Sequence, residues 1–400
     1  MNYNKKTIED IDVTGKKILM RVDFNVPRDK ATGAITDDRR IAETVPTIRY
    51  LLDRNAALIL CSHMGRPKGQ RKEELSLLPV AARLSKLLGA GHEVTFCSDI
   101  VGEEAKAKAA ALKPGDVMLL ENIRFLPGEE ANDPELAREL ASMAELYVND
   151  AFGTAHRAHA STAGVAKYLP AVSGLLLARE LKALGGVLTN PAHPFVVILG
   201  GAKVSDKLGV INNLLDKADT LLIGGGMAYT FLRAAGFGIG SSLCEEDRLE
   251  YAGEMMKKAA SLGKRILLPI DHICAESLEE GASPVTIPGE TIPEGLMGLD
   301  IGPKTGELFT KCIAEAKTVL WNGPMGVFEK TAFSAGTWDV ARAMADNGGV
   351  TVVGGGDTAA AAERFGYAAR MSHVSTGGGA SLELLEGLEL PGVACLQDKE

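Results

Sequence analysis

The chain has 400 residues, 46% of them apolar and 24% charged, with a formal net charge of −9. That length predicts roughly two or three domains with a substantial core, and the composition is that of an ordinary globular protein. The acidic balance argues against a nucleic-acid binder, which usually carries a basic excess, so any anionic ligand must meet a locally basic pocket.

The opening stretch, Met1-Asn-Tyr-Asn-Lys-Lys-Thr7, is polar, and no apolar run is long enough to span a bilayer. A cytoplasmic protein is expected. Six cysteines (Cys61, Cys97, Cys244, Cys274, Cys312, Cys395) lie scattered without a CxxC pair, which predicts reduced thiols and not a disulfide framework or zinc site. Lys17-Ile-Leu-Met-Arg-Val22, Ala57-Leu-Ile-Leu-Cys61, Val117-Met-Leu-Leu120 and Leu146-Tyr-Val148 read as short buried strands, separated by enough helical sequence for parallel crossovers. Each ends in polar residues: Asp23-Phe-Asn25, Ser62-His-Met-Gly-Arg66, Glu121-Asn-Ile-Arg124 and Asn149-Asp-Ala-Phe-Gly-Thr-Ala-His-Arg157. In an open parallel sheet the carboxyl ends of the strands line one crevice, so these arginines and histidines should converge. Arg40, in Asp37-Asp-Arg-Arg-Ile41, precedes the helical pattern Ile41, Val45, Ile48, Leu52 and can join them.

This basic half is expected to form a domain over residues 1–172. The segment 173–189 carries leucines at 177, 181 and 184, a helical spacing, and is bounded by Gly185-Gly186, Pro191 and Pro194. It is expected to be an interdomain helix and hinge; the alternative is a helix packed within one domain.

The second half, 190–389, repeats one pattern four times. Apolar runs end in glycine clusters and open into helical sequence at Phe195-Val-Val-Ile-Leu-Gly-Gly201, Leu221-Leu-Ile-Gly-Gly-Gly226, Val350-Thr-Val-Val-Gly-Gly-Gly356 and Ser375-Thr-Gly-Gly-Gly379. Such turns let backbone N–H groups approach a phosphate, aided by the helix dipole, although glycine there also permits tight packing. Lys203 and Lys207, four apart after Gly200-Gly201, are expected on one helical face near its positive end. Asp357 reads either as a helix N-cap or as an oxygen ligand for Mg²⁺ carrying nucleotide phosphates. His63, His156 and His159, with Asp150, would suit a metal, but interleaved Arg66 and Arg157 favour an anionic substrate.

In order along the whole chain, Arg21-Val-Asp-Phe-Asn-Val-Pro27, Ser62-His-Met-Gly-Arg-Pro67, Glu121-Asn-Ile-Arg-Phe125, Asn149 to His159, Gly200-Gly-Ala-Lys-Val-Ser-Asp-Lys207, Leu320-Trp-Asn-Gly-Pro-Met-Gly-Val-Phe-Glu329 and Gly354-Gly-Gly-Asp-Thr358 resemble phosphoglycerate kinase. The short Leu126-Pro-Gly-Glu-Glu130 segment resembles the bacterial type. The resemblance implies two Rossmann-like, doubly wound parallel-sheet α/β domains joined by a hinge helix, with residues 390–400 packing back on the first. It implies reversible, direct in-line phosphoryl transfer from 1,3-bisphosphoglycerate to Mg-ADP, giving 3-phosphoglycerate and ATP in glycolysis, by a monomer whose domains close. By the same resemblance Asp23, Asn25, Arg40, His63, Arg66, Arg124, His156 and Arg157 bind substrate. Lys203, Lys207, Gly225, Gly226, Gly298, Asn322, Glu329, Gly355, Gly356, Asp357 and Thr358 bind nucleotide, with Asp357 on Mg²⁺. Arg40, Lys203 and the backbone of Gly377 and Gly378 stabilise the phosphoryl group in flight.

Two other classes fit parts of the sequence. A nicotinamide dehydrogenase would also show glycine-rich turns, but no clean GxGxxG with an acidic residue about twenty positions on is present. A non-catalytic phosphate binder would be favoured by missing reactive side chains, and Arg40, Lys203 and Asp357 are all there.

Overall fold

A computed structural model describes residues 2–279 and 283–399. The chain divides into two compact units, residues 1–182 with 389–400, and residues 183–388. Each is an α/β unit built on a six-stranded parallel sheet.

The first sheet contains β1 (Lys17–Arg21), β2 (Ala57–Cys61), β3 (Val94–Cys97), β4 (Val117–Leu120), β5 (Leu146–Asn149) and β6 (Ala171–Ser173). Its order is β3-β4-β2-β1-β5-β6. The central runs are almost continuously apolar because helices cover both faces, and all five residues of β2 are buried. The order reverses at β1, the place where a doubly wound sheet opens its crevice. The C-terminal stretch belongs to this unit: Lys5 Nζ donates to Leu396 O at 3.1 Å and pairs with Asp398 at 2.7 Å, and Gln397 N donates to Ala171 O.

The second unit repeats the plan with β7 (Phe195–Leu199), β8 (Thr220–Ile223), β9 (Arg265–Leu267), β13 (Thr318–Asn322), β14 (Val350–Val353) and β15 (His373–Val374), ordered β15-β14-β13-β7-β8-β9. A three-stranded antiparallel sheet, β11 (Val285–Pro288), β10 (Asp271–Ala275) and β12 (Met297–Ile301), is inserted between β9 and β13. Sequence patterning missed this insert, along with β3, β6 and β9, whose short runs carry little periodic signal.

The chain passes from one unit to the next within a single helix, Leu175–Thr189. Its start is fixed in the first unit: Leu177 N donates to Asp150 Oδ1 at 3.1 Å and Leu175 N to Thr47 Oγ1 at 3.1 Å. Asp150 is thereby a buried carboxyl serving a helix N-terminus. Burial also pushes its pKa up to about 6.

Candidate functional site

In the first unit the carboxyl ends of β1, β2, β4 and β5 deliver the polar segments to one region. Arg40 Nη1 donates to Asp23 Oδ2 at 2.8 Å. The neighbouring Arg39 instead makes a bidentate pair with Asp37, Nε at 2.8 Å and Nη2 at 2.6 Å from Oδ2. The two adjacent arginines are thus sorted by separate carboxylates. Asn25 Oδ1 accepts from Gly65 N at 3.0 Å, and Arg124 Nη1 donates to Gly65 O at 2.9 Å.

His63 is 3% exposed. Burial, then Arg21, Arg124 and Arg40, pull its pKa well below the ordinary histidine value. The ring is therefore neutral near pH 7, so its 4.0 Å approach to Asp23 is not an ion pair. Arg21 Nη2 lies 3.2 Å from His63 Nδ1, which makes Nδ1 the acceptor and leaves the proton on Nε2. Burial, then Arg124, Arg21 and Arg157, with His156, bring His159 down to about 4. This mutual depression marks a pocket of dense positive charge, suited to an anion. Arg66 and Arg157 are exposed, and Arg157 lies close enough for its charge to act on His159. Among the described residues no group of three or more His, Cys, Asp or Glu side chains could hold a metal, so the histidines and Asp150 form no metal site there.

Sequence reasoning gave Arg21 no role. It is fully buried, and its Nε donates to Ser161 Oγ at 2.8 Å, which donates to the buried Glu129 Oε1 at 2.6 Å. A lone arginine closing the apolar run of β1 was the available signal, since arginine is almost never fully buried unless paired.

In the second unit a cavity of about 350 Å³ is lined by Gly200, Gly201, Lys203, Lys207, Asn322, Gly355, Gly356, Asp357, Thr358, Gly378 and neighbours. The four glycine turns do not act alike. Gly200 N donates to Asn322 O, Gly201 N to Pro324 O and Gly225 N to Met325 O, so these N–H groups bind the chain's own loop. A Cβ on Gly200 would meet Pro324 O at 2.1 Å, and one on Gly225 would meet Gly201 N at 2.6 Å. Glycine in the first two turns thus serves close backbone approach. Gly226 packs against Ala202 in the same way. Gly377 N donates to Ser375 Oγ at 3.2 Å, whereas Gly378, at φ +52°, faces the cavity.

Lys203 and Lys207 do not share a helical face. Residues 205–207 form a 3₁₀ turn and the α-helix begins only at Leu208. Both lysines nevertheless line the cavity. Lys207 Nζ donates to Asn322 Oδ1, while Asn322 Nδ2 donates to Gly354 O at 2.8 Å. Burial lowers the pKa of Lys207, opposed by the nearby carboxylates Asp206, Asp357 and Glu386. Asp357 is not the N-cap; that position is Gly355, at φ +94°. Asp357 is exposed in the first turn of the helix Gly356–Arg364 and forms no side-chain cap. Its carboxylate is therefore open to the cavity. Thr358 Oγ1 accepts from Gly323 N at 2.7 Å and closes the turn. Gly298 and Glu329 lie outside the cavity lining: Gly298 N donates to Ser242 Oγ at 2.9 Å, and Glu329 is exposed with its carbonyl on Arg364.

The family model for phosphoglycerate kinase matches residues 8–388. Curated phosphoglycerate kinases from Clostridium botulinum and Clostridium perfringens are each 58% identical over the full length of both chains. The crystal structure of phosphoglycerate kinase from Pyrococcus horikoshii OT3 is 33% identical with a TM-score of 0.82. The structure of phosphoglycerate kinase from Coxiella burnetii is 43% identical with a TM-score of 0.91, and each covers 98% of both chains. On the shared fold, full-length identity and family match, the chain belongs to the phosphoglycerate kinase family.

Proposed function

We propose that the chain moves the 1-phosphoryl group of 1,3-bisphosphoglycerate reversibly and in line onto Mg-ADP, giving 3-phosphoglycerate and ATP. The observation that carries this reading is the cavity of the second unit, where Lys203, Lys207 and the open carboxylate of Asp357 meet glycine-rich helix starts. Phosphoryl transfer needs positioning and charge stabilisation far more than a protein nucleophile, and the carboxylate leaving group of an acyl phosphate needs no proton.

In this reading the first unit holds the glycerate: Asp23 and Asn25 at its hydroxyl and carboxylate end, with His63, Arg66, Arg124, His156 and Arg157 around its phosphate. The second unit holds the nucleotide through Lys203, Lys207, Gly225, Gly226, Gly298, Asn322, Glu329, Gly355, Gly356 and Thr358. Asp357 suits Mg²⁺, because this ion takes one or two carboxylates plus phosphate and water oxygens. When bound, the ion would neutralise charge on the nucleotide phosphates. Closure of the two units would bring Arg40 and Lys203 onto the transferring group, with Gly378 offering its N–H there and Gly377 doing so on release from Ser375 Oγ, and would exclude water. The chain would act in glycolysis as a cytoplasmic monomer; among the described residues no helix is long and apolar enough to cross a membrane.

The test is NADH oxidation coupled through glyceraldehyde-3-phosphate dehydrogenase, with 3-phosphoglycerate and Mg-ATP. Wild type should turn over and Lys203→Ala should not. A folded, nucleotide-binding wild type without turnover would convert the reading to a binding module. Small-angle scattering should show compaction with both substrates bound, and an unchanged radius at saturation would remove the closure step.

A further inference from the structure

Asn122, at the carboxyl end of β4, is fully buried and uses all four of its side-chain hydrogen-bonding capacities. Its Oδ1 accepts from Met64 N at 3.2 Å and from Arg124 N at 3.1 Å. Its Nδ2 donates to Met64 O at 2.8 Å and Leu75 O at 3.0 Å. Two N–H groups on one side and two carbonyls on the other fix which amide atom is oxygen.

Those partners surround one short loop. Met64 stands between His63 and Gly65, and Asn122 holds both of its backbone groups. Gly65 in turn is gripped by Asn25 Oδ1 through its N–H and by Arg124 Nη1 through its carbonyl. Leu75 packs on the other side of Gly65, where a Cβ would meet Leu75 Cδ2 at 2.9 Å. Gly65 sits at φ +61°, a conformation it holds easily as glycine but with no side chain to anchor it.

We propose that Asn122 is a positioning residue for the glycerate substrate: its amide locks the His63–Arg66 loop, Leu75 and Arg124 into one register, so that groups on two different strand ends present a single surface. It touches no substrate itself. The inference rests on the proposed reading of the first unit as the 3-phosphoglycerate side.

Asn122→Asp keeps the shape but turns oxygen toward the carbonyls of Met64 and Leu75, breaking two bonds and adding repulsion. Asn122→Ser keeps an acceptor and leaves room for water. Steady-state kinetics on both, with wild type alongside, should show KM for 3-phosphoglycerate raised about tenfold in Asn122→Asp and less in Asn122→Ser, the scale of a lost buried hydrogen bond. KM for Mg-ATP should stay within about twofold, since the second unit is untouched. A general loss of folded enzyme would lower kcat and leave both KM values alone. An unchanged KM for 3-phosphoglycerate in a folded Asn122→Asp overturns the proposal, as does failure of both variants to fold, which would assign Asn122 to core stability. Absence of 3-phosphoglycerate turnover in wild type would instead overturn the substrate assignment.

Discussion

Arg40 and Asp23 are joined at 2.8 Å, with the Arg40 side chain 40% exposed and that of Asp23 only 12%. The carboxylate is the fixed partner and the guanidinium the one with freedom to swing toward an arriving anion. Arg39, bound to Asp37 at the surface, has no such position. Arg40→Ala should therefore lower kcat by about 10²- to 10³-fold, the scale of a preorganised donor removed from developing charge, while the Kd for Mg-ADP changes little. Arg39→Ala should leave kcat nearly unchanged. Equal losses in kcat and nucleotide affinity for Arg40→Ala would contradict a role realised in the transition state.

Asp357 tests the metal assignment. Its carboxylate lines the cavity without acting as a helix cap, so its removal should damage ion binding more than the fold. Asp357→Asn should raise the Mg²⁺ concentration for half-maximal rate by about tenfold, with thermal stability close to wild type. Titration of rate against Mg²⁺ at fixed total nucleotide measures this. An unaltered Mg²⁺ dependence would take Asp357 out of the ion's coordination.

The legible parts of the sequence were those with a redundant physical signal. Strands such as Ala57–Cys61 and Phe195–Leu199 are buried along every residue, and an unbroken apolar run followed by a polar or glycine cluster marks both the strand and its functional end. Edge strands β3 and β9 have mixed burial, and the antiparallel insert pairs residues through contacts that no local period announces. The chemistry was read best where a charged side chain followed a strand. It was misread where geometry depended on one turn: Lys203 and Lys207 are four apart in sequence, yet residues 205–207 form a 3₁₀ turn and the α-helix starts only at Leu208. Asn122 escaped notice because a neutral amide carries no charge signature, although its neighbours did.

The glycine turns differ in what a methyl group would meet, and this predicts unequal costs. On Gly200 a Cβ would fall 2.1 Å from Pro324 O and 2.6 Å from Gly323 O, both backbone atoms that cannot rotate away. Gly200→Ala should cost about 2 to 3 kcal/mol and open the loop that carries Asn322. On Gly356 a Cβ would meet nothing within 4 Å and no positive φ is required, so Gly356→Ala should remain within about 1 kcal/mol of wild type. Urea unfolding compares the two. Equal stability would mean that the Gly200 turn separates from residues 323–324 at little cost.

Stability against pH should carry the mark of the neutral histidines. His159 is 8% exposed, and burial followed by the charges of Arg124, Arg21 and Arg157 brings it to about 4. The unfolded imidazole titrates near 6.5. Between those values the unfolded chain binds a proton that the native state refuses, so this contribution is complete above about pH 6.5 and is lost as pH falls toward 4. Asp150, raised by burial to about 6, and Asp300, raised to about 7, act in the opposite sense. Their native carboxyls keep a proton that the unfolded chain releases near 4, so their contribution is present at low pH and fades as pH rises through those values. The whole-protein curve mixes both signs, and a difference isolates one of them. Relative to wild type, His159→Gln should gain about 1 to 3 kcal/mol between pH 7 and pH 4.5, read by urea unfolding at each pH. A constant difference would mean that His159 keeps an ordinary titration in the fold, and that the positive field deduced for the first unit does not reach its ring.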